Sequence, residues 1–363
     1  MGPVHELQGF LGLLPPLVSK VLLLYAYAAL TALWVLAAVR RQRPGWARLS
    51  AAAPVVIGNL LIPLVLDHQG ELAEPLIITP FAGVFSLAAF KLLAFCIGRG
   101  PMVPSWLTPA QFSGVFLLPI VPIQVFTVGP QDAARLHTVK QGRQLLLDSW
   151  ASTGACGRAV VRVAMLVSWV LAVPGIPVMV RHWLYTLASA TFLTGVFDVL
   201  AAGAHVALGI TSAPTFDKPW LCDSFQDFWA RRWNLTTTYM MRVLVYEPII
   251  EGRLLPGPSR SSGAADAATV IAAVFLFSGL WHIAIFWYNT RVFSWRWCAF
   301  FAIQIFAANF LLIAVAKPLF FGPADTTGFA ARNLAVGQEP LWALVNLAKG
   351  TQLRSEERQQ PTS

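Results

Sequence analysis

Ser224-Phe-Gln-Asp-Phe-Trp-Ala-Arg-Arg-Trp-Asn234 is the densest cluster of aromatic and charged side chains in a chain that is otherwise mostly apolar. At the α-helical step of roughly 100° per residue, Phe225, Phe228, Trp229 and Trp233 share one side. Gln226, Asp227, Ala230, Arg231 and Asn234 share the other. Asp227 and Arg231 are four residues apart, a spacing at which they pair along a helix surface. Arg232 breaks the pattern, because it falls within the aromatic face. A guanidinium there needs an anion, a ring to stack on, or both. Two readings fit: an interfacial helix whose aromatics anchor it among lipid headgroups, or a site that grips a negatively charged ligand beside a membrane.

The surrounding composition makes the membrane part of either reading. Of 363 residues, 56% are hydrophobic and only 12% charged, with a mean hydropathy of +0.62. A soluble domain carries about a quarter charged residues. This is the composition of an integral, multi-pass membrane protein. The net charge of +9 is spread over loops, where basic residues set topology and attract anionic headgroups. Membrane lipids, and no nucleic acid, are the expected partners. The four cysteines, Cys96, Cys156, Cys222 and Cys298, form no C-x-x-C pair. They suggest neither a zinc site nor a disulfide framework, and no metal is expected. The first basic side chain is Lys20, so no basic region of a signal peptide precedes the early apolar residues. The first span is expected to act as its own insertion signal.

Taken in order, the first apolar run, residues 17–39, ends at Arg40-Arg41-Gln42-Arg43 with Arg48 nearby, a mark of the cytoplasmic side. A run over 51–66 leads to Asp67, His68, Glu71 and Glu74, an acidic loop suited to the far side. A run over 76–97 contains Lys91, which must snorkel or find a partner and is a functional candidate by default. Residues 112–125 are broken by Pro119 and Pro122 and read as a re-entrant or interfacial piece. Runs at 159–180 and 183–204 make an out-and-back pair. The polar stretch 205–266 is then cytoplasmic, with a flexible loop over 252–265. Spans follow at 267–288 and 295–316. Residues 341–348 are too short to cross, and 349–363 form a polar tail expected to be disordered. The expected fold is all-α and polytopic, one membrane-embedded domain over 1–348 with about seven to nine transmembrane or re-entrant helices.

No P-loop, G-x-G-x-x-G or G-x-S-x-G motif occurs. Of the six histidines, His282 differs from the rest by lying inside the apolar run Phe275-Leu-Phe-Ser-Gly-Leu-Trp-His-Ile-Ala-Ile-Phe286. Ionisable groups in hydrocarbon usually face a cavity or a partner. Ser278 and Gly279 lie four and three residues earlier, on the same helix face, and are expected to leave ligand space above the ring. A structural histidine bonded across helices is the competing reading. A neutral imidazole in a low-dielectric cavity suits general-base chemistry.

Phe216-Asp-Lys-Pro-Trp220, Ser224-Phe-Gln-Asp-Phe-Trp-Ala-Arg-Arg-Trp-Asn234 and Val245-Tyr-Glu-Pro248 closely resemble the signature of plant wax synthase-like proteins. These belong to the membrane-bound O-acyltransferase (MBOAT) superfamily. Ser278-Gly-Leu-Trp-His282 resembles that family's histidine motif. Phe90-Lys-Leu-Leu93 with Gly100-Pro101 resembles its lysine-bearing third helix. The signature region spans about residues 205–288, and the fold implied is an MBOAT-like helical bundle in the endoplasmic reticulum. The resemblance implies Asn234 and His282 as the catalytic pair. It further implies acyl-CoA as a substrate, no cofactor, and a long-chain alcohol or a sterol as acceptor. Given such a donor, Asp227, Trp229, Arg231, Arg232 and Trp233 of the opening stretch are expected at the acyl-CoA, the arginines on its phosphates, with Ser278 and Lys91 in support. Oligomeric state is not implied. Two departures stand out. The residue after the family histidine is commonly Glu and here is Ile283, and no full apolar run follows residue 334. They leave open a transporter or lipid-binding scaffold on the same fold.

Asn234-Leu-Thr236 also matches a glycosylation sequon. The cytoplasmic placement of 205–266 predicts that it stays unmodified. A mobility shift on deglycosylation that Asn234→Gln abolishes would overturn that topology.

Overall fold

The computed structural model describes residues 3–69, 73–126, 177, 180, 195–217, 228–256 and 267–302. These residues are helical apart from turns and one isolated bridge between Pro122 and Ser212, and no strand occurs among them. Four helices are long and apolar enough to cross a membrane: Leu17–Val39, Trp46–Val65, Ile77–Cys96 and Thr269–Thr290. They coincide with four of the expected spans. The second starts at Trp46 rather than at residue 51, because nothing before Pro54 interrupts helical spacing and Pro54 itself is tolerated inside the helix. The expected span at 159–180, most of 183–204 and of 295–316, and the tail from 349 lie outside the described residues.

The chain divides into two compact units, residues 1–217 with 234–237, and residues 218–233 with 238–363. In the first, α1 (Pro3–Trp34) runs into a π-helical turn (Val35–Val39). Then come α2 (Trp46–Leu61), α3 (Ala73–Cys96), α4 (Pro109–Leu117) and α5 (Gly195–Leu208). α2 packs along α3, and α4 rests on α1 and α3. The shared core joins Val35 and Val39, Val55, Leu92 and Phe95, and Phe112, Val115 and Phe116.

Sequence explains why α4 is short. Thr108 accepts from the Gln111 amide (3.2 Å) while Gln111 Oε1 accepts from the Thr108 amide (3.0 Å). This reciprocal cap, with Pro109 in the first turn, starts the helix. Pro119 lies just beyond its end at Leu117. Nine residues reach about 14 Å at 1.5 Å per residue, under half of a bilayer core of about 30 Å. The segment therefore does not cross, as its prolines suggested.

Three cations inside the first unit serve backbone carbonyls. Arg48, read from sequence as a topology mark, is buried. Its Nη1 donates to the Phe95 carbonyl (2.7 Å), and Nε and Nη2 both reach the Gln42 carbonyl. Its guanidinium also lies 4.0 Å from the centre of the Phe95 ring. Arg40 Nη2 donates to the Leu107 carbonyl (2.6 Å) and sits over Phe112. Lys91 is the third. On the opposite end of the same helices, Lys20 pairs with Glu74 at 2.8 Å, and Glu74 also accepts from the Asp67 amide.

The second unit holds a π-helical turn (Phe228–Arg232), most of α6 (Leu235–Met241), a second π-helical turn (Arg242–Tyr246), α7 (Glu247–Glu251) and α8 (Ala267–Thr290). Residues 296–302 begin a further helix. The second π-helical turn packs on both α7 and α8.

Arg48→Met removes the donors to the Gln42 carbonyl named above and one of the two to the Phe95 carbonyl, which keeps the Gly98 amide (3.1 Å), while keeping much of the packing volume. A carbonyl left dry costs about 1–3 kcal/mol. The variant is expected to lower the thermal unfolding midpoint in detergent, and an unchanged midpoint would show that these contacts contribute nothing.

Candidate active site

Phe228–Arg232 is wound as a π-helix, not as the α-helix that sequence spacing suggested. The Trp233 amide donates to the Phe228 carbonyl at 2.8 Å, an i to i+5 bond. This winding brings residues five apart together. Phe228 and Trp233 stack with centroids 5.3 Å apart and planes 19° apart, and Trp229 meets both edge-on. Thr238 Oγ1 donates toward the Trp229 and Trp233 carbonyls (3.0 and 3.2 Å), closing the turn. The aromatic face expected at 228, 229 and 233 thus exists, by a different local geometry. Arg231 is exposed and Arg232 half-buried. Asp227, and with it the pairing to Arg231, lies outside the described residues.

Asn234 ends this turn and starts α6. Its backbone is left-handed (φ 42°), a conformation that Asn tolerates better than other side-chain-bearing residues. Its Oδ1 accepts from the Thr237 amide at 3.2 Å, the bond of a helix N-cap. With Oδ1 so engaged, the carboxamide is held in one orientation and Nδ2 is left as a donor. The next two residues bond within the first unit, to which residues 234–237 belong. The Leu235 amide donates to the Thr215 carbonyl (2.8 Å), and Thr236 Oγ1 lies 3.5 Å from the Pro119 carbonyl oxygen.

His282 sits in the middle of α8. Its Nδ1 is 2.7 Å from the Ser278 carbonyl oxygen, one turn back. A carbonyl only accepts, so this bond holds the proton on Nδ1 and leaves the Nε2 lone pair free of it. Ser278 therefore contributes through its backbone. Ile283, where the resemblance expects Glu, is buried at 3% exposure and offers no carboxylate. The imidazole is oriented instead by its own helix. Phe301 lies 4.6 Å from the ring, with Trp281, Trp297 and Phe286 around it at 5.6–6.5 Å.

The small face at Gly279 is not ligand space. A Cβ there would come within 3.1 Å of Cys298 Cα and 3.2 Å of its Sγ. Gly279 is where α8 meets the helix of residues 296–302 at close range, which brings Trp297 and Phe301 onto the histidine. Phe301 also joins the two motifs within the second unit: Trp229 lies 6.3 Å from Phe301 and 5.8 Å from Phe275. Neither Trp297 nor Phe301 stood out in the sequence. Their i, i+4 spacing after Trp295 was the available signal.

In the remaining motif, Glu247 pairs with Arg242 at 3.0 Å. Burial first, with Glu247 adding to it against Arg242, raises the Tyr246 phenol above its ordinary range, so its hydroxyl stays protonated. Lys91 is fully buried in the first unit, and its ammonium donates to the carbonyls of Val115 (2.8 Å), Leu118 (2.5 Å) and Ile120 (2.8 Å). The partner that its position in an apolar helix demanded is thus a helix end, not an acid.

Known proteins are similar to this chain in sequence. The model of the membrane-bound O-acyl transferase family matches residues 212–304, from the bridge at Ser212 through both motifs to just beyond Phe301. An acyl-CoA–sterol O-acyltransferase of Arabidopsis thaliana is 30% identical over 276 residues, 76% of this chain and 74% of the relative. A long-chain-alcohol O-fatty-acyltransferase of Simmondsia chinensis is 30% identical over 72% of this chain and 69% of its own length. A probable long-chain-alcohol O-fatty-acyltransferase of Arabidopsis thaliana is 29% identical over 77% of this chain and 76% of its own. The chain belongs to the membrane-bound O-acyltransferase family, in its wax synthase-like group. No solved structure matches it. The family match gives this acyltransferase its membrane setting and its reaction class, and it encloses Trp229, Asn234, His282 and Phe301 together.

Gly279→Ala tests the close approach in this O-acyltransferase. Overpacking of this kind costs about 1–3 kcal/mol, against a gain of up to about 1 kcal/mol in helix propensity. A lower thermal midpoint and a lower ester-forming rate are expected; gains in both would show that the helices have room to part.

Proposed function

We propose that the protein is an acyl-CoA-dependent O-acyltransferase that esterifies a long-chain fatty alcohol to a wax ester in the endoplasmic reticulum membrane. The bond from His282 Nδ1 to the Ser278 carbonyl carries this reading, because it prepares Nε2 as a base. Nε2 takes the hydroxyl proton of the alcohol as its oxygen attacks the thioester carbonyl. The tetrahedral intermediate collapses, the C–S bond breaks, and the leaving CoA sulfur receives that proton from the imidazolium. Positioned base catalysis contributes about 10²–10⁴-fold.

The remaining roles are assigned by chemistry. Asn234 Nδ2 donates to the thioester oxygen or the adjoining part of CoA, where one such donor is worth roughly 3 kcal/mol. Arg231 and Arg232 meet the CoA phosphates, with Asp227 orienting Arg231. Trp229 and Trp233 seat the turn that carries them. The thioester supplies its own activation, so the proposed reaction calls for no metal or redox cofactor. The lipid surroundings limit water and suppress thioester hydrolysis.

A sterol is the second reading for the acceptor, because the sterol acyltransferase relative is as similar as the alcohol acyltransferase. Microsomes from yeast lacking their own neutral-lipid acyltransferases separate the two when supplied with acyl-CoA and either fatty alcohol or sterol. Wax ester is expected; steryl ester alone would favour the second reading, and no ester from either would sink the enzymatic one. His282→Ala is expected to slow ester formation by about 10²–10⁴-fold, and a wild-type rate would remove His282 from the role of base.

A further inference from the structure

We propose that Lys91 is a positioning residue for catalysis: its buried ammonium holds the segment against which the Asn234 cap is built. The inference rests on the reading that Asn234 serves the acyl transfer.

Lys91 is 0% exposed, and among the described residues no carboxylate pairs with it. An ammonium has three hydrogens, and here each has a backbone carbonyl: Val115, Leu118 and Ile120. Val115 lies in the last turn of α4, and Leu118 and Ile120 flank Pro119 just past its end. A helix end leaves carbonyls without intrahelical donors, and proline adds no amide to serve them. The cation gathers three oxygens at one point, of which that of Leu118 also accepts from the Ile120 amide (2.8 Å), and so fixes the path of residues 118–120.

That path leads to Asn234 by hydrogen bonds within the first unit. Pro119, between two of the gathered carbonyls, offers its own carbonyl to Thr236 Oγ1 (3.5 Å). Two residues further on, the Val121 carbonyl accepts from the Ala213 amide (2.9 Å), and the Ile123 amide donates to the Thr211 carbonyl (2.9 Å). This pairing carries the strand-like segment 211–215, whose Thr215 carbonyl accepts from the Leu235 amide (2.8 Å). Leu235 and Thr236, the two residues after Asn234, are thus each tied to a segment that Lys91 orders. Thr236 and Thr215 are themselves buried, so water does not stand in for these bonds. Asn234 needs such support because its left-handed backbone is not self-sustaining.

Arginine cannot take the place of Lys91. Its planar fork suits two parallel acceptors, whereas three carbonyls around one nitrogen suit a tripod. Lys91→Met keeps the length and removes every donor.

The test uses full-length protein in detergent and compares Lys91→Met, Lys91→Arg, Thr236→Val and Asn234→Ala. For each, kcat, KM for acyl-CoA and the thermal midpoint are measured. At a temperature where each variant is folded, Lys91→Met and Lys91→Arg are expected to lower kcat roughly 10–100-fold, the size of effect produced by misplacing a catalytic group by about 1 Å. The combination of Lys91→Met with Asn234→Ala is expected to be no slower than Asn234→Ala alone, because both changes disable the same group. Losses that instead multiply, or a wild-type kcat for Lys91→Met beside a slow Asn234→Ala, would overturn the inference and leave the role of Asn234 intact. A wild-type kcat for Asn234→Ala would sink that role and this inference with it. Should the Lys91 variants fail to fold, Thr236→Val decides the matter: a several-fold lower kcat at a near-normal midpoint supports the linkage, and a normal kcat overturns it.

Discussion

A carbonyl oxygen left without a donor inside a bilayer has no water to turn to. Much of this structure answers that constraint with side-chain donors placed at helix ends and turns. Arg48 serves Gln42 and Phe95, Arg40 serves Leu107, and Lys91 serves the end of α4. Thr238 serves the two carbonyls of the π-helical turn. The same chemistry recurs at His282, whose Nδ1 bonds the Ser278 carbonyl. There the bond orients an imidazole as well as satisfying an oxygen. Structural and chemical roles thus draw on one kind of contact.

The departure at Ile283 acquires a physical meaning in this light. A carboxylate beside the histidine would have been one way to orient the imidazole. In this O-acyltransferase the bond to the Ser278 carbonyl orients it, and Ile283 is buried as an ordinary apolar residue. The aromatic shell of Trp281, Phe286, Trp297 and Phe301 around the ring depends in turn on Gly279, which lets the helix bearing Trp297 and Phe301 come close.

Four of the spans, the failure of residues 112–125 to cross and the special place of His282 were legible in the sequence, because hydropathy, proline position and a buried ionisable group are local signals. The membership of the 224–234 motif in a known signature was legible for the same reason. Its winding was not. A π-helical turn differs from an α-helical one by a single residue per turn, and nothing in residues 228–232 marks it. Gly279 was misread as open space because small residues look alike whether they face a ligand or a neighbouring helix. The partners of Lys91 were invisible, since backbone carbonyls leave no trace in composition. Phe301 was missed because its importance lies in contacts to residues 72 and 19 positions away in the chain, Trp229 and His282.

The locked tautomer of His282 has a kinetic corollary. With Nδ1 committed to a carbonyl, the proton enters and leaves the ring through Nε2 alone. On the proposed mechanism, the incoming hydroxyl and the departing sulfur therefore both meet that one nitrogen. The proton taken from the one is then the proton given to the other, relayed through Nε2 with no exchange at the buried face of the ring.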